Sequence, residues 1–163
     1  AVGLCTFAGE QPRYLAPVKG SSQLNVLLNT VYDLDTTRRT ADYQAAASQL
    51  LARQKRRALV IVVTNLRDED DEALLAAVKR INRQHRVLVA SLREEVLDQL
   101  RQSPVQTLQE ALAYSGTVDY LNTRDELHDR LNAHGLSVLD TLPSQMGAAL
   151  VTRYLGWKKA GVF

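Results

Sequence analysis

Cysteine is almost absent from this sequence, with Cys5 the single example in 163 residues. One cysteine excludes a disulfide within the chain and a zinc site built from cysteines. Such a low number of cysteines fits a protein of a reducing compartment. Cys5 lies inside an apolar segment, so we expect its thiol to pack in the core, because reactive thiols need exposure and a positive neighbour.

Long apolar runs are also missing. The longest run, Ala58–Val63, has six residues, whereas a membrane helix needs about 20 and the core of a signal peptide about 7. We therefore expect a soluble chain without a membrane segment.

A strong excess of positive charge is missing too, since 20 Lys and Arg stand against 18 Asp and Glu. Nucleic-acid-binding proteins usually carry a clustered basic face, so we predict no nucleic-acid partner.

The sequence motifs of common enzyme classes do not occur. There is no Gly-x-Gly-x-x-Gly after a strand, no Gly-x-x-x-x-Gly-Lys phosphate loop and no Gly-x-Ser-x-Gly nucleophile elbow. The three histidines, His85, His128 and His134, lack the spacing of metal ligands. We therefore predict that the protein is not an enzyme and that it needs no cofactor.

The composition is that of a globular protein, with 45% hydrophobic and 23% charged residues. Its clearest segment is Ala58–Thr64, a continuous apolar run rich in β-branched residues, which is typical of a strand buried in a parallel sheet. Arg86–Leu92 and Leu136–Asp140 have the same character. Val2–Ala8 also reads as a buried strand and starts almost at residue 1, so we expect that preceding sequence is missing.

Helical patterns separate these strands. Apolar residues recur at helical spacing in each segment: Leu24, Leu27, Leu28 and Val31; Ala46, Ala47, Leu50 and Leu51; Leu74, Leu75, Val78 and Ile81; Met146, Leu150, Val151, Tyr154 and Leu155. A further helical pattern covers Thr107–Asn132 with a break near Ser115–Gly116. The alternation of strands and helices predicts an α/β fold with three layers, a mostly parallel sheet and right-handed crossovers.

Polar residues directly after the strand Ala58–Thr64 are the first candidate site. Ligands of open α/β sheets bind at the carboxyl ends of the strands, where the sequence has Thr64, Asn65 and Asp68. One interpretation is a small Rossmann-like enzyme or ligand-binding domain that uses the Thr64–Asp68 strand end. The alternative is that these residues only cap the next helix.

A basic cluster, Arg53, Lys55, Arg56 and Arg57, is the second candidate site. It ends a predicted helix, where cations complement the helix dipole. A solvated helix end explains it, and so does a surface that binds an acidic partner or an anionic lipid.

Six segments in this order resemble the C-terminal part of bacterial domain-of-unknown-function family 58: Val2–Ala8, Tyr14–Gly20, Leu24–Leu34, Ala41–Tyr43, Leu50–Leu66 and Leu150–Leu155. The most specific are the Arg-Arg-Ala-Leu-Val-x-Val-x-Thr segment from Arg56 to Thr64 and the closing Arg153-Tyr154-Leu155. The resemblance implies a von Willebrand factor A-like domain, which is a Rossmann-like fold with a metal-ion-dependent adhesion site. On this view residues 1–163 form a partial domain of that type.

The resemblance implies an incomplete metal site. The family's first motif, Asp-x-Ser-x-Ser, does not occur in the chain. The threonine of the second motif corresponds to Thr40, or less well to Thr36 or Thr37. The aspartate of the third motif is replaced by Asn65, which offers a neutral oxygen in place of a carboxylate. Mg²⁺ prefers carboxylate and water oxygens, so we expect a degenerate site that binds Mg²⁺ weakly.

The resemblance also implies a partner and a location. Members of the family are thought to act with MoxR-type AAA+ ATPases, and full-length members carry N-terminal membrane helices with this domain in the cytoplasm. We therefore predict a cytoplasmic, non-enzymatic interaction module, with Arg53, Lys55, Arg56, Arg57 and Asp68 as candidate partner-binding residues. The strand that bears Asp-x-Ser-x-Ser is central in the family's sheet. Its absence predicts exposed strand edges and self-association through them.

Overall fold

The structure, a computed structural model, describes residues 1–8, 12–35, 40–66 and 71–162. Contacts between residues divide the chain into two compact units, which we name the N-terminal unit, Ala1–Lys55, and the C-terminal unit, Arg56–Phe163. Each unit has its own sheet. None of the described helices combines the length and the apolar character that crossing a membrane requires.

The N-terminal unit contains two antiparallel strands and two helices. Strand β1 (Val2–Cys5) pairs with β2 (Tyr14–Val18), and helices α1 (Ser22–Val31) and α2 (Tyr43–Arg53) follow. The two strands approach closely at Gly3, where a Cβ atom would lie 2.7 Å from the carbonyl oxygen of Leu15. That distance is shorter than a Cβ contact allows, so the pairing requires glycine at this position.

The structure corrects the prediction for Val2–Ala8. The strand ends at Cys5, its first residues are exposed, and it pairs with β2 in a separate two-stranded sheet rather than joining the parallel sheet. After Cys5, Thr6 and Arg13 are joined by two hydrogen bonds. Thr6 N donates to the Arg13 carbonyl at 2.9 Å, and Arg13 N donates to Thr6 Oγ1 at 2.7 Å. An apolar run predicts a strand but does not identify its neighbour, and here the neighbour is the next strand along the chain.

Helices α1 and α2 differ in how well the sequence predicted their buried faces. Asp42 caps α2 by accepting a hydrogen bond from Ala45 N at 2.8 Å, and Ala47 is fully buried, as the pattern indicated. The stripe predicted for α1 is wrong, because Leu24 and Leu28 are 60% and 55% exposed. The buried residue of α1 is Gln23, whose Nε2 donates to the carbonyl of Val2 at 3.4 Å.

The C-terminal unit is built on a parallel sheet in the order β3-β4-β5. Its strands are β3 (Leu59–Thr64), β4 (Arg86–Leu92) and β5 (Ser137–Thr141). Its helices are α3 (Asp71–Asn82), α4 (Glu95–Gln102), α5 (Leu108–Ala133) and α6 (Pro143–Lys159). A mixed α/β fold with a parallel sheet and flanking helices is therefore confirmed, and this arrangement is compatible with a Rossmann-like fold.

The core of the C-terminal unit lies around the central strand β4, whose residues Val87 to Ser91 are all buried. The α3 stripe is confirmed, with Leu74 and Val78 each 1% exposed. The break predicted near Ser115–Gly116 is wrong, since α5 is continuous. Its first turn is held by a capping box between Thr107 and Glu110, which satisfies amide groups that the helix leaves free.

Helix α6 buries less than its sequence predicted. Met146 is buried, but Val151, Tyr154 and Leu155 are 57%, 43% and 47% exposed. Helix α6 contacts both β5 and β4, while its residues Val151 and Leu155 remain exposed to solvent. An exposed apolar surface on α6 is therefore a feature of this unit.

Candidate functional site

The carboxyl ends of the three parallel strands are joined by one side chain, Arg124 of α5. Its side chain is 2% exposed and forms a salt bridge with Asp140 near the end of β5, with 2.7 Å between Nη2 and Oδ1. Nη2 also donates to the Leu92 carbonyl at 2.9 Å and to the hydroxyl of Ser91, both at the end of β4. Nη1 donates to the carbonyl of Leu66, after β3, at 3.1 Å. All three strand ends are thus held by a single guanidinium.

Tyr120 reinforces this cluster from the preceding turn of α5. Its hydroxyl donates to the same Leu66 carbonyl at 3.2 Å, because residues four apart lie on one face of a helix. Leu66 itself is 2% exposed, so its carbonyl is largely removed from water and is satisfied by these two donors. An unsatisfied buried carbonyl costs about 1–3 kcal/mol, and the cluster avoids that cost.

His128 lies one turn beyond Arg124 on the same helix. Burial is the largest influence on its imidazole and lowers its pKa, and the positive charge of Arg124 acts in the same direction. The negative charges of Asp140, Asp125 and Asp129 act in the opposite direction. Among the described residues, no group forms a hydrogen bond with its buried Nε2 atom. The ring is therefore neutral at neutral pH, and it lies close enough to Arg124 and Asp140 to be influenced by their charges.

This arrangement has the chemistry of a structural cluster, which holds the strand ends together. Both terminal nitrogens of Arg124 donate to acceptors of the protein itself, and the Asp140 carboxylate is engaged by this guanidinium. In the part of the chain that the structure describes, no group of three or more histidine, cysteine, aspartate or glutamate side chains is placed to hold a metal ion. The cluster positions the strand ends and fills the space between them.

The residues predicted to form the metal site are both exposed. Thr40 precedes α2 in the N-terminal unit, and Asn65 follows β3 in the C-terminal unit. The side chain of Thr64 is directed to the backbone, with Oγ1 donating to the carbonyl of Asn65 at 3.4 Å. Three further predicted residues, Thr36, Thr37 and Asp68, lie outside the residues that the structure describes.

The four predicted basic residues are all exposed, and they divide between the units. Arg53 and Lys55 belong to the N-terminal unit, where the guanidinium of Arg53 lies 4.7 Å from the centre of the Tyr14 ring and Lys55 Nζ donates to the carbonyl of Leu51 at 2.9 Å. Arg56 and Arg57 begin the C-terminal unit, directly before β3. Arg53 also lies in the last turn of α2, as the helix-end interpretation requires.

Cys5 lies at the end of β1 and is half-buried. Burial raises the pKa of its thiol, and the nearby charge of Arg53 opposes this effect. A raised pKa keeps the thiol protonated at neutral pH. The sequence predicted a thiol packed in the core, and the structure corrects this to a half-buried thiol at the end of β1.

Sequence reasoning missed Arg124, although a signal was present. The buried residues of α5 are Thr117, Arg124, Leu127 and Leu131. An arginine in phase with Leu127 and Leu131 at helical spacing is expected to be buried, and a buried arginine needs acceptors. The polar residues at the predicted strand ends, Ser91 and Asp140, were the available acceptors.

Comparison with known families gives a match over most of the chain. The family described as "Protein of unknown function DUF58" matches residues 1–135. This range includes all of the N-terminal unit and, in the C-terminal unit, the strands β3 and β4 and the helix that carries Arg124. A search of curated proteins and a search of solved structures gave no match. The chain therefore belongs to the DUF58 family.

Proposed function

We propose that this chain is a non-enzymatic interaction module of the von Willebrand factor A-like type, and that it binds a MoxR-type AAA+ ATPase in the cytoplasm. The partner and the finer fold type come from the family resemblance. The observation that supports an interaction module over an enzyme is the Arg124 cluster. Enzymes of open α/β folds place their substrates at the carboxyl ends of the strands, and here that position is occupied by a buried guanidinium with protein acceptors.

The same proposal includes a degenerate metal site with Thr40 and Asn65 as its remaining candidates. Both side chains are exposed, and an amide and a hydroxyl supply no charge to offset the dehydration of Mg²⁺. No cofactor is needed for the proposed function. Binding of the partner rests on protein surfaces alone.

The partner contact that we propose in the C-terminal unit is the pair Arg56 and Arg57. Both are exposed, and they lie in the connection just before the strand β3, so they present positive charge at the surface beside the start of that strand. Charged residues at the rim of an interface act mainly on the association rate and on its dependence on salt. An acidic surface on the ATPase is the complementary partner surface.

Reversal of these charges tests the proposal. We expect Arg56→Glu with Arg57→Glu to weaken capture of the purified ATPase at low salt by roughly tenfold, because attraction becomes repulsion. A double variant with the same charge change elsewhere on the C-terminal unit, Lys79→Glu with Arg83→Glu, is the control, since both residues are exposed.

Three outcomes decide this test. Loss in the first variant with retention in the control supports the proposed contact, provided that circular dichroism shows both variants folded. Equal capture of both variants removes Arg56 and Arg57 from the interface. Binding of the unaltered chain to phosphatidylserine vesicles, without capture of the ATPase, favours the alternative of an anionic-surface binder.

A further inference from the structure

A groove runs between β5 and α6, and neither Arg124 nor the pair Arg56 and Arg57 is among its lining residues. Its volume is about 660 Å³. Leu139 and Thr141 line it from β5, and the α6 side consists largely of small residues, among them Ala148, Thr152 and Gly156. These three recur every four residues, so they lie along one face of the helix. Their small size is the reason that the groove exists.

The strand that lines the groove, β5, lies at the edge of its sheet. In the described part of the chain β5 pairs with β4 alone, so its other edge presents backbone N–H and C=O groups without a ladder partner. Such an edge is a template for another extended segment. Recognition by strand addition uses this edge for affinity and adjacent pockets for the choice of side chains.

The dimensions of the groove fit an extended segment. From Gln145 to Trp157, the α6 residues at its two ends, the helix rises by about 18 Å at 1.5 Å per residue. From β5, the shorter side, Leu139 and Thr141 line the groove. An extended peptide of about five residues spans about 17 Å at 3.3 Å per residue, which matches the length of the α6 side.

The positive charge of the groove indicates that the bound peptide carries an acidic side chain. Arg153 is the only charged residue of the lining, and it forms no salt bridge within the described residues. Positive charge continues beyond the groove in Lys158 and Lys159 of the last turn of α6. A carboxylate on the occupant is the complementary group, while small or β-branched side chains suit the floor formed by Ala148 and Thr152.

We propose that the groove between β5 and α6 binds an extended peptide segment of a partner protein, which pairs with the free edge of β5 and places an acidic side chain beside Arg153. This surface does not include Arg56 or Arg57. It is therefore a second interaction site, and its test does not depend on the function proposed above.

The full chain offers a direct reporter for this site. Trp157 is its single tryptophan, lies in the lining of the groove and is contacted by the guanidinium of Arg86, 5.4 Å from its ring centroid. The probe is the capped peptide acetyl-Ser-Val-Asp-Val-Ser-Val-amide, titrated into the chain while tryptophan emission is recorded. Two matched probes are the same peptide with Lys in place of Asp and the same peptide with alternate amides N-methylated.

A pair of glycine variants separates blocked binding from lost folding. A Cβ atom at Gly156 meets nothing within 4 Å, so Gly156→Leu fills the groove without a clash. Gly147 is the other glycine of α6, its Cβ position is equally open, and it is not among the lining residues. Both changes favour the helix, because glycine is a poor helix former, so neither should unfold it.

We expect saturable binding of the Asp peptide, with affinity reduced at least about tenfold by Gly156→Leu, which corresponds to about 1.4 kcal/mol. Gly147→Leu should bind as the unaltered chain does, and the Lys and N-methylated peptides should bind at least about tenfold more weakly than the Asp peptide. The proposal is overturned if the Asp peptide gives no saturation or if both glycine variants bind alike. It is also overturned if tryptophan emission changes with protein concentration alone, which would assign the groove to a second copy of the chain.

Discussion

Arg124 is the residue whose loss should cost the C-terminal unit most. Arg124→Met keeps the apolar stem but leaves Asp140 as a largely buried charge and leaves the carbonyls of Leu66 and Leu92 without their guanidinium donor. Breaking a buried ion pair in this way costs about 3–5 kcal/mol. We expect a loss of that size in the free energy of unfolding, measured by urea titration.

The double variant Arg124→Met with Asp140→Leu is the control for this prediction. Removing both charges avoids an unpaired buried carboxylate, so its stability should lie above that of Arg124→Met alone. The difference is the coupling between the two side chains. A single variant within about 1 kcal/mol of the unaltered chain would show that the cluster is not an important source of stability.

His128 makes the stability of the C-terminal unit depend on pH. Burial lowers the pKa of its imidazole in the folded protein, so the unfolded chain binds the proton more readily. The stabilisation is therefore complete above the unfolded value of about 6.5 and is lost as the pH falls from there toward the lower folded value. We expect His128→Gln to lose less stability than the unaltered chain across this window.

His134→Gln serves as the comparison, because His134 is exposed at the end of α5. Urea titrations at a series of pH values compare the two variants with the unaltered chain, and the change in slope is expected for His128→Gln. Identical slopes for all three proteins would contradict the role assigned to His128.

At the scale of elements, the strand β3 is the part most open to association. In the described residues it pairs with β4 alone, and Ile61 and Val63 are 39% and 49% exposed. A β-branched edge strand without charge invites pairing with another chain. We expect sedimentation to show association that increases with concentration, and we expect Val63→Lys to reduce it because a charge on an edge opposes pairing.

Val151→Lys is the matched change on another exposed apolar residue, 57% exposed on α6. It should leave the association unchanged. A chain that remains monomeric at every concentration would remove the β3 edge as an association site.

The same elements show what the sequence could predict. The strands β3 and β4 were identified because continuous β-branched runs are typical of buried parallel strands, and their observed bounds differ from the predicted ones by at most one residue. The apolar faces of α1 and α6 were misjudged because a periodic pattern shows which side chains share a face. It does not show whether another element covers that face, as the exposure of Leu24 and Val151 demonstrates.

At the scale of the whole molecule, the sequence predicted where the candidate site lies, but it did not predict that Arg124 is its central residue. Ligands of parallel sheets bind at the carboxyl ends of the strands, and Ser91 and Asp140 lie at those ends. Arg124 lies 58 residues from Leu66 and 33 from Ser91 along the chain. Such pairings depend on the three-dimensional packing of α5 on the sheet, which a local pattern does not contain.

The guanidinium at the centre of this cluster also limits how the sheet can deform. It is one rigid plane, and its bonds reach past β3, to the end of β4 and to β5. Hydrogen bonds of this kind usually span about 2.7–3.2 Å, so a strand end that slides away from the guanidinium lengthens its bond unless the other ends follow. We therefore expect the three strand ends to move together, with a shift of β5 transmitted to the backbone at Leu66.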